Sequence, residues 1–428
     1  MAASALNLLP GKSLGPFRLG QPVADALAAV EDAAHGGSAG GEGGEGESED
    51  AALAALASSL QVRYDAEAPL AADLVLSFPA GGFHLRFDPR SQRLRLIEVY
   101  DVARCKLRYS RRPVGGAPAH ATFQHLAATL GPTFPGAFDA RRCAYVLRYP
   151  GLALHFPIPK QHAAAVAAEA ARPGAAHPLE LPDGTTPVCA RMLLHAGGAE
   201  DDPAEAAPPA LPHAVLPLHY METVTCVLGK GLRFEASGHE LAFGAGAQDV
   251  WAALGPPDAE CSRADDAMGI HAAAAGPEGD AGGSSEQGGV RAEDRFWNYF
   301  SRGVDLLLDG ETHTLKKVVV HANWPGHPDF NAYAKCNFVL AEGPSSGANG
   351  TQCGADGGDK DQQPRRVLAT VDSNWREAAA ALGPAGPPAV HMGADGNPFG
   401  HTWVYGCRHA AVEVMSNGAL ASVTLSAG

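Results

Sequence analysis

Several short stretches of this chain hold residue types that could do chemistry. His321, His327, His391 and His401 could donate to a metal, but their spacings match no ligand pattern. Eighteen histidines in 428 residues scatter widely, so core or surface histidines are the expected reading. Gly11-Lys12-Ser13 has the ending of a phosphate loop, yet the position that should carry the leading glycine holds Leu6. Gly244-Ala245-Gly246 lies where a dinucleotide loop would, before a helical stretch, but Asp249 takes the place of the third glycine. There is no G-x-S-x-G elbow and no C-x-x-C pair, and the paired carboxylates Asp265-Asp266 lie beside a loop tract. Catalytic, cofactor and metal chemistry are therefore not expected.

Two stretches suit contact better. Arg104, Lys106 and Arg108 alternate with Cys105, Leu107 and Tyr109, and Arg111-Arg112 follow. On a strand that alternation puts three cations on one face, where they could meet anionic lipid or an acidic partner. A solvated outer face is the plainer reading. No aromatic ladder stands beside the strip, so nucleic acid is a weak use of it. The second stretch runs from Asn323 to Tyr333 and is the densest aromatic loop of the chain. Trp324, His327, Phe330 and Tyr333 mark it as a candidate partner loop. Its plainer reading is a loop packed over a sheet edge. Trp251-Ala252-Ala253-Leu254 fits the aromatic-x-x-aliphatic pattern of ligands that bind as extended strands. Here it falls in a helix, and Trp251 and Leu254 are expected on the buried stripe.

The elements that position these stretches are repeated. Gly82-Phe83-His84-Leu85-Arg86-Phe87-Asp88 leads through a turn to Leu94–Val99. Gly303-Val304-Asp305-Leu306-Leu307-Leu308-Asp309 leads without a gap to Leu315–Val320. The glycine, leucine, aspartate and closing valine positions coincide, as expected of a duplicated scaffold. Phe17–Val30 and Leu241–Leu254 match as strand, glycine turn and helix. Three helical stretches end alike, at Leu130-Gly131-Pro132, Leu254-Gly255-Pro256 and Leu382-Gly383-Pro384. Glycine accepts the left-handed position after a helix, and proline cannot continue one. The expected fold is α+β, internally duplicated. Four helix-plus-antiparallel-hairpin units are expected at 14–112, 118–196, 215–342 and 365–428. They form two halves, 1–196 and 215–428, joined by a linker at 197–214.

Four tracts rich in Gly, Ala, Pro or acid interrupt the halves: 35–50, 197–209, 272–294 and 343–361. Their composition is expected to leave them disordered. The first three hold 14 of the 47 acids and one of the 32 bases, so the folded body is nearly neutral despite a net charge of −15. The acidic total is no argument against an anionic partner. Met1–Pro10 has neither a basic segment nor a long apolar run, residue 2 is Ala, and no 18-residue apolar stretch occurs. A cytoplasmic chain in a reducing compartment is expected.

The residues around the aromatic loop also carry a resemblance. Phe296–Phe300, Gly303-Val304-Asp305, Asn323–His327, Phe330-Asn331, Tyr333 and Cys336-Asn337-Phe338 resemble the phagosome assembly factor 1 family, formerly an uncharacterised Lin-10-related group. Asn397–Gly400, Thr402, Tyr405-Gly406, Arg93-Leu94, Ile97-Glu98-Val99 and Ala421–Leu425 fit it too. The resemblance spans nearly the whole chain from about residue 8, and the tracts at 35–50, 197–209 and 272–294 depart from it. It implies a non-enzymatic autophagy adaptor recruited to the phagophore assembly site. The implied partner is a β-propeller protein of the breast carcinoma amplified sequence 3 type, through which phosphoinositide membranes would be met indirectly. An alternative is peripheral trafficking from the Golgi to the plasma membrane. Another is direct anionic-lipid binding through Arg104, Lys106, Arg108, Arg111 and Arg112. No cofactor, nucleic acid or metal is implied.

Overall fold

The computed structural model describes residues 5–36, 45–133, 136–172, 180–211, 217, 219–262, 293–343, 365–383, 385–392 and 399–427. The chain divides into two compact units, Met1–Leu216 and Pro217–Gly428.

The first unit holds two sheets. In the smaller one, Leu6–Leu9 pairs with Ser13–Leu14 on one side and lies parallel to Leu107–Tyr109 on the other. Helix α1 (Val23–Gly36) and helix α2 (Glu45–Ala57) follow the opening strands. A four-stranded meander comes next: Gln61–Arg63, Leu74–Phe78, Phe83–Phe87 and Leu94–Val99. Helix α3 (Phe123–Leu130) precedes a second meander of Ala137–Asp139, Ala144–Tyr149, Leu152–Pro157 and Arg191–His195. Helix α4 (Lys160–Ala170) is inserted before the last of these strands. The final strands of the two meanders, Leu94–Val99 and Arg191–His195, pair antiparallel and close one eight-stranded sheet.

The second unit repeats the plan. Thr223–Val227 lies parallel to Asn337–Glu342 in its five-stranded sheet. Helix α5 (Ala247–Leu254) leads to a meander of Ala259–Ser262, Arg295–Tyr299, Val304–Leu308 and Leu315–His321. Helix α6 (Trp375–Leu382) leads to Ala389–His391, Thr402–Cys407, Ala410–Val414 and Leu420–Ser426. Again the two final strands, Leu315–His321 and Leu420–Ser426, pair antiparallel. The duplication extends to register. Phe83 pairs with Val99 and Val304 with Val320, and a register irregularity falls at Arg86/Phe87 in one copy and Leu307/Leu308 in the other.

Helices α2, α3, α5 and α6 are each followed by a four-stranded meander that contains the hairpin the sequence suggested and extends it by further strands. The outer strands Gln61–Arg63, Ala137–Asp139, Ala259–Ser262 and Ala389–His391 lie at sheet edges, with little buried apolar surface to write a period-2 pattern. Two of the tracts expected to be disordered also hold structure. Part of 35–50 belongs to α1 and α2, and Leu53 buries the latter against its unit. The acidic tract at 197–209 forms a 3₁₀ turn, Pro203–Glu205, capped by the Asp202 carboxylate. Arg95 Nη1 ties it down by donating to the carbonyls of Ala204 (2.9 Å) and Ala206 (3.2 Å). Residues 263–292 and 344–364 lie outside the described residues, and with them most of the tracts at 272–294 and 343–361.

The helix endings follow the sequence. Gly131, Gly255 and Gly383 have φ of 89°, 80° and 91°, and each N–H returns to the carbonyl four residues back. The alternating side chains Phe83, Leu85 and Phe87, and Val304, Leu306 and Leu308, turn into the cores. Phe78 and Phe83 stack at 4.7 Å, with Phe17 against both.

Candidate functional site

The cation strip lies at one end of the first unit's smaller sheet. Cys105 and Leu107 are buried with Lys106 exposed between them, but the strand covers only Leu107–Tyr109, and Arg104 lies in the turn before it, outside the alternation expected from the sequence. The chain reverses at Ser110-Arg111, where both φ values are positive, and Arg112 then pairs with Tyr109. Lys106, Arg111 and Arg112 are exposed, and Arg108 is half-buried. Arg104 is already engaged: its Nε stands 3.4 Å from Asp101 and its Nη1 donates to the Pro79 carbonyl.

The aromatic loop points inward, which corrects the expectation of a partner loop. Trp324, His327 and Tyr333 are 3%, 8% and 5% exposed, and Phe330 is half-buried. The indole N–H of Trp324 donates to the Leu420 carbonyl at 2.9 Å, and the buried Lys335 ammonium sits 4.4 Å over its ring. Lys335 pairs in turn with Asp372. Tyr333 stacks on His321 with ring centroids 3.8 Å apart. Aromatic density in a loop is equally what a covering loop needs, and sequence alone cannot tell inward from outward.

Under this loop lie two buried carboxylates whose partners the sequence did not disclose. Asp305 accepts from Tyr333 Oη (2.8 Å) and Asn298 Nδ2 (2.7 Å), and His321 Nε2 stands 2.9 Å away. Burial, with the Asp305 charge beside it, pushes the Tyr333 hydroxyl well above its usual range. Glu413 accepts from Thr402 (2.7 Å) and Ser422 (2.8 Å), with His327 Nε2 at 3.2 Å. Burial alone would raise Glu413, but these hydrogen bonds and the His327 charge hold it down at about 2. Burial works against a proton on His327, yet Glu413 and Asp329 outweigh it and raise His327 above the usual imidazole value. Three of the four histidines first suspected as ligands thus stand beside carboxylates, since His391 Nδ1 also lies 3.8 Å from Glu413. The buried thiols of Cys105 and Cys189 are pushed up to about 12, mainly by desolvation, which keeps them protonated and unreactive.

Trp251 is also corrected. It is 52% exposed, with its ring edge-on to Trp297 at 6.0 Å. The buried stripe of α5 is Val250 and Leu254, four residues apart, and Trp251 falls one step off it.

The same sheet face in the first unit is open. Residues 322–336 connect the meander to the next strand in the second unit, whereas 100–106 suffice in the first. A cleft of about 320 Å³ results, with Leu96, Ala153 and Leu193 as its buried apolar floor. Arg86, Arg142, Arg148 and Arg191 stand around it, with Asp139 on one rim and the tethered Asp202–Ala204 on the other. Asp73 engages Arg86 (2.8 Å) and Arg95 (2.6 Å), and Glu98 engages Arg191 (2.7 Å) and Arg86 (3.6 Å). Arg142 is 3.5 Å from Asp139. The Arg148 Nε is buried without a hydrogen-bond acceptor among the described residues.

Register shows what these positions hold in the other copy. Val99 pairs with Met192, and Met192 with Leu154; Val320 pairs with Val423, and Val423 with Val412. His155 therefore stands where Glu413 does, and Arg191 where Ser422 does. By the same reasoning Arg148 matches Gly406, and Arg86 matches Leu307. The fold does not need arginine at any of the three.

His155 lines the cleft, and burial, with Arg191 and Arg142, holds its pKa down at about 4. An unfolded histidine titrates near 6.5. This group's contribution to stability is therefore whole above pH 6.5 and is lost as pH falls toward 4. His155→Gln is expected to flatten that part of the stability profile, measured by urea unfolding at pH 7.5 and pH 5. An unchanged slope would show that the imidazole charges freely in the fold.

The family model described as Phagosome assembly factor 1 matches residues 52–426. A PHAF1 protein of Arabidopsis thaliana is 40% identical, over 99% of this chain and 93% of its own length. One of Drosophila melanogaster is 31% identical, over 86% and 85%. One of Caenorhabditis elegans is 25% identical, over 87% and 86%. No solved structure matches.

Proposed function

Because the chain belongs to the phagosome assembly factor 1 family, we propose that it serves autophagy by contact and not by catalysis. In this reading it is an adaptor that docks a β-propeller protein of the breast carcinoma amplified sequence 3 type at the phagophore assembly site. It works from the cytoplasm, and the propeller meets phosphoinositide membranes. Family membership over nearly the whole chain is the observation that carries the reading. The chemistry of the interior agrees with it. Asp305 and Glu413 have their oxygens taken up by internal donors, so their role is to hold the covering loop. Among the described residues no helix is long and apolar enough to cross a membrane.

With the aromatic loop folded inward, the docking surface has to lie elsewhere. Among the described residues the edge strand Ala389–His391 pairs on one side only, and Val390 within it and Met392 beside it are 54% and 71% exposed. An added strand could pair there. Affinity capture of the full chain from starved cells, read by mass spectrometry, is expected to recover a propeller protein. Val390→Asp with Met392→Asp is expected to deplete it at least ~10-fold while the fold is kept. Capture without any propeller protein would overturn the adaptor reading.

A second reading is direct anionic-lipid contact through the strip, favoured by the exposure of Lys106, Arg111 and Arg112. Charge reversal at those three positions is then expected to abolish liposome flotation.

A further inference from the structure

We propose that the arginine cleft of the first unit binds a phosphate monoester group. Three features argue for a ligand. Residues 322–336 lie over the corresponding face of the second unit at Asp305 and Glu413, whereas only residues 100–106 join the matching strands here. Leu307, Gly406 and Ser422 occupy the positions of Arg86, Arg148 and Arg191, so folding did not put the arginines there. A buried guanidinium N–H with no acceptor, as at Arg148 Nε, is an uncommon and costly feature that an anion would relieve.

The geometry points to phosphate over carboxylate. Arg86, Arg148 and Arg191 rise from three different strands, Phe83–Phe87, Ala144–Tyr149 and Arg191–His195. Donors that converge from several directions suit a tetrahedral oxyanion, whereas a planar carboxylate is satisfied by one fork. Asp73 and Glu98 hold Arg86 and Arg191 in place from the side. Arg148 has no carboxylate partner among the described residues and is the anchor. The neutral His155 adds no second negative charge, unlike its counterpart Glu413. The apolar floor of Leu96, Ala153 and Leu193 accepts the carbon portion of the ester.

Isothermal titration of the full chain with sn-glycerol 3-phosphate at constant ionic strength tests this. Saturable binding is expected, at least ~10-fold weaker in Arg148→Gln, and acetate is expected not to compete. Arg86→Leu introduces the residue that the second unit carries and serves should Arg148→Gln fail to fold. Absent binding, binding unchanged in both variants, or equal competition by acetate overturns the proposal. The source of the phosphate is read with phosphatidylcholine vesicles containing phosphatidic acid, whose headgroup is the same. Flotation lost in Arg148→Gln assigns a lipid headgroup. Glycerol phosphate binding without flotation assigns a soluble ester.

Discussion

Replacing Glu413 by alanine is expected to destabilise the second unit by about 4 kcal/mol, the range for removing one partner of a buried ion pair. Glu413 is 1% exposed and gathers Thr402, Ser422 and His327. Its loss strands two hydroxyls and an imidazole beneath the covering loop. In a unit of this size the melting temperature should fall by roughly 10 °C. Thr402→Val removes one donor only and should cost about 1–2 kcal/mol. The pH dependence separates charge from packing. Glu413 titrates at about 2 in the fold and near 4.3 unfolded. Its contribution is present above the unfolded value and is lost as pH falls toward 2. His327 acts in the other direction. Its contribution is whole below about 6.5 and is lost as pH rises through its elevated folded value. A variant Glu413→Gln as stable as the wild type at pH 7 would show that the charge is dispensable.

The second large effect is expected at Gly303. Its φ is +67°, and a Cβ there would run into the Ala334 carbonyl and the Cys336 amide. Left-handed strain adds about 1–2 kcal/mol and the backbone displacement about as much again. Gly303→Ala is therefore expected to cost about 3 kcal/mol in denaturant unfolding. Its counterpart Gly82 has φ +72° and would place Cβ 2.8 Å from Asp101 Cβ and 3.0 Å from the Asp101 carbonyl. That approach is less severe than at Gly303, where the Cys336 amide is 2.8 Å away and the Ala334 carbonyl closer still. Gly82→Ala should cost about 2 kcal/mol. Gly131, Gly255 and Gly383 also have positive φ but nothing within 4 Å of the added carbon. Alanine there should cost about 1 kcal/mol. Equal losses at all five positions would remove the steric account.

The same glycines show what was legible in the sequence. Gly82 and Gly303 head matching segments because both copies need the left-handed turn before Phe83–Phe87 and Val304–Leu308. The Leu-Gly-Pro endings could be read for the same reason. The outer strands of the meanders could not, since strands of three or four residues with so little buried surface carry no apolar alternation. Nor could the cleft. Arg86, Arg148 and Arg191 share no spacing and meet only because the final strands of two meanders pair. Laying Arg86 against Leu307 was the one signal available, since the repeat marks which polar residues the scaffold can do without. The inward turn of Trp324 and Tyr333 depended on Leu420 and Asp305, partners distant or unmarked in the chain.

The seam between meanders carries one more consequence, for synthesis on the ribosome. Leu94–Val99 obtains its second neighbour only when Arg191–His195 has been made, and Leu315–His321 waits likewise for Leu420–Ser426. Until then each nascent half presents an apolar strand with an open side, the kind of edge to which other chains add. Translation that stalls inside either half should therefore yield sticky fragments needing chaperones, whereas a stall between the halves should leave the first one closed.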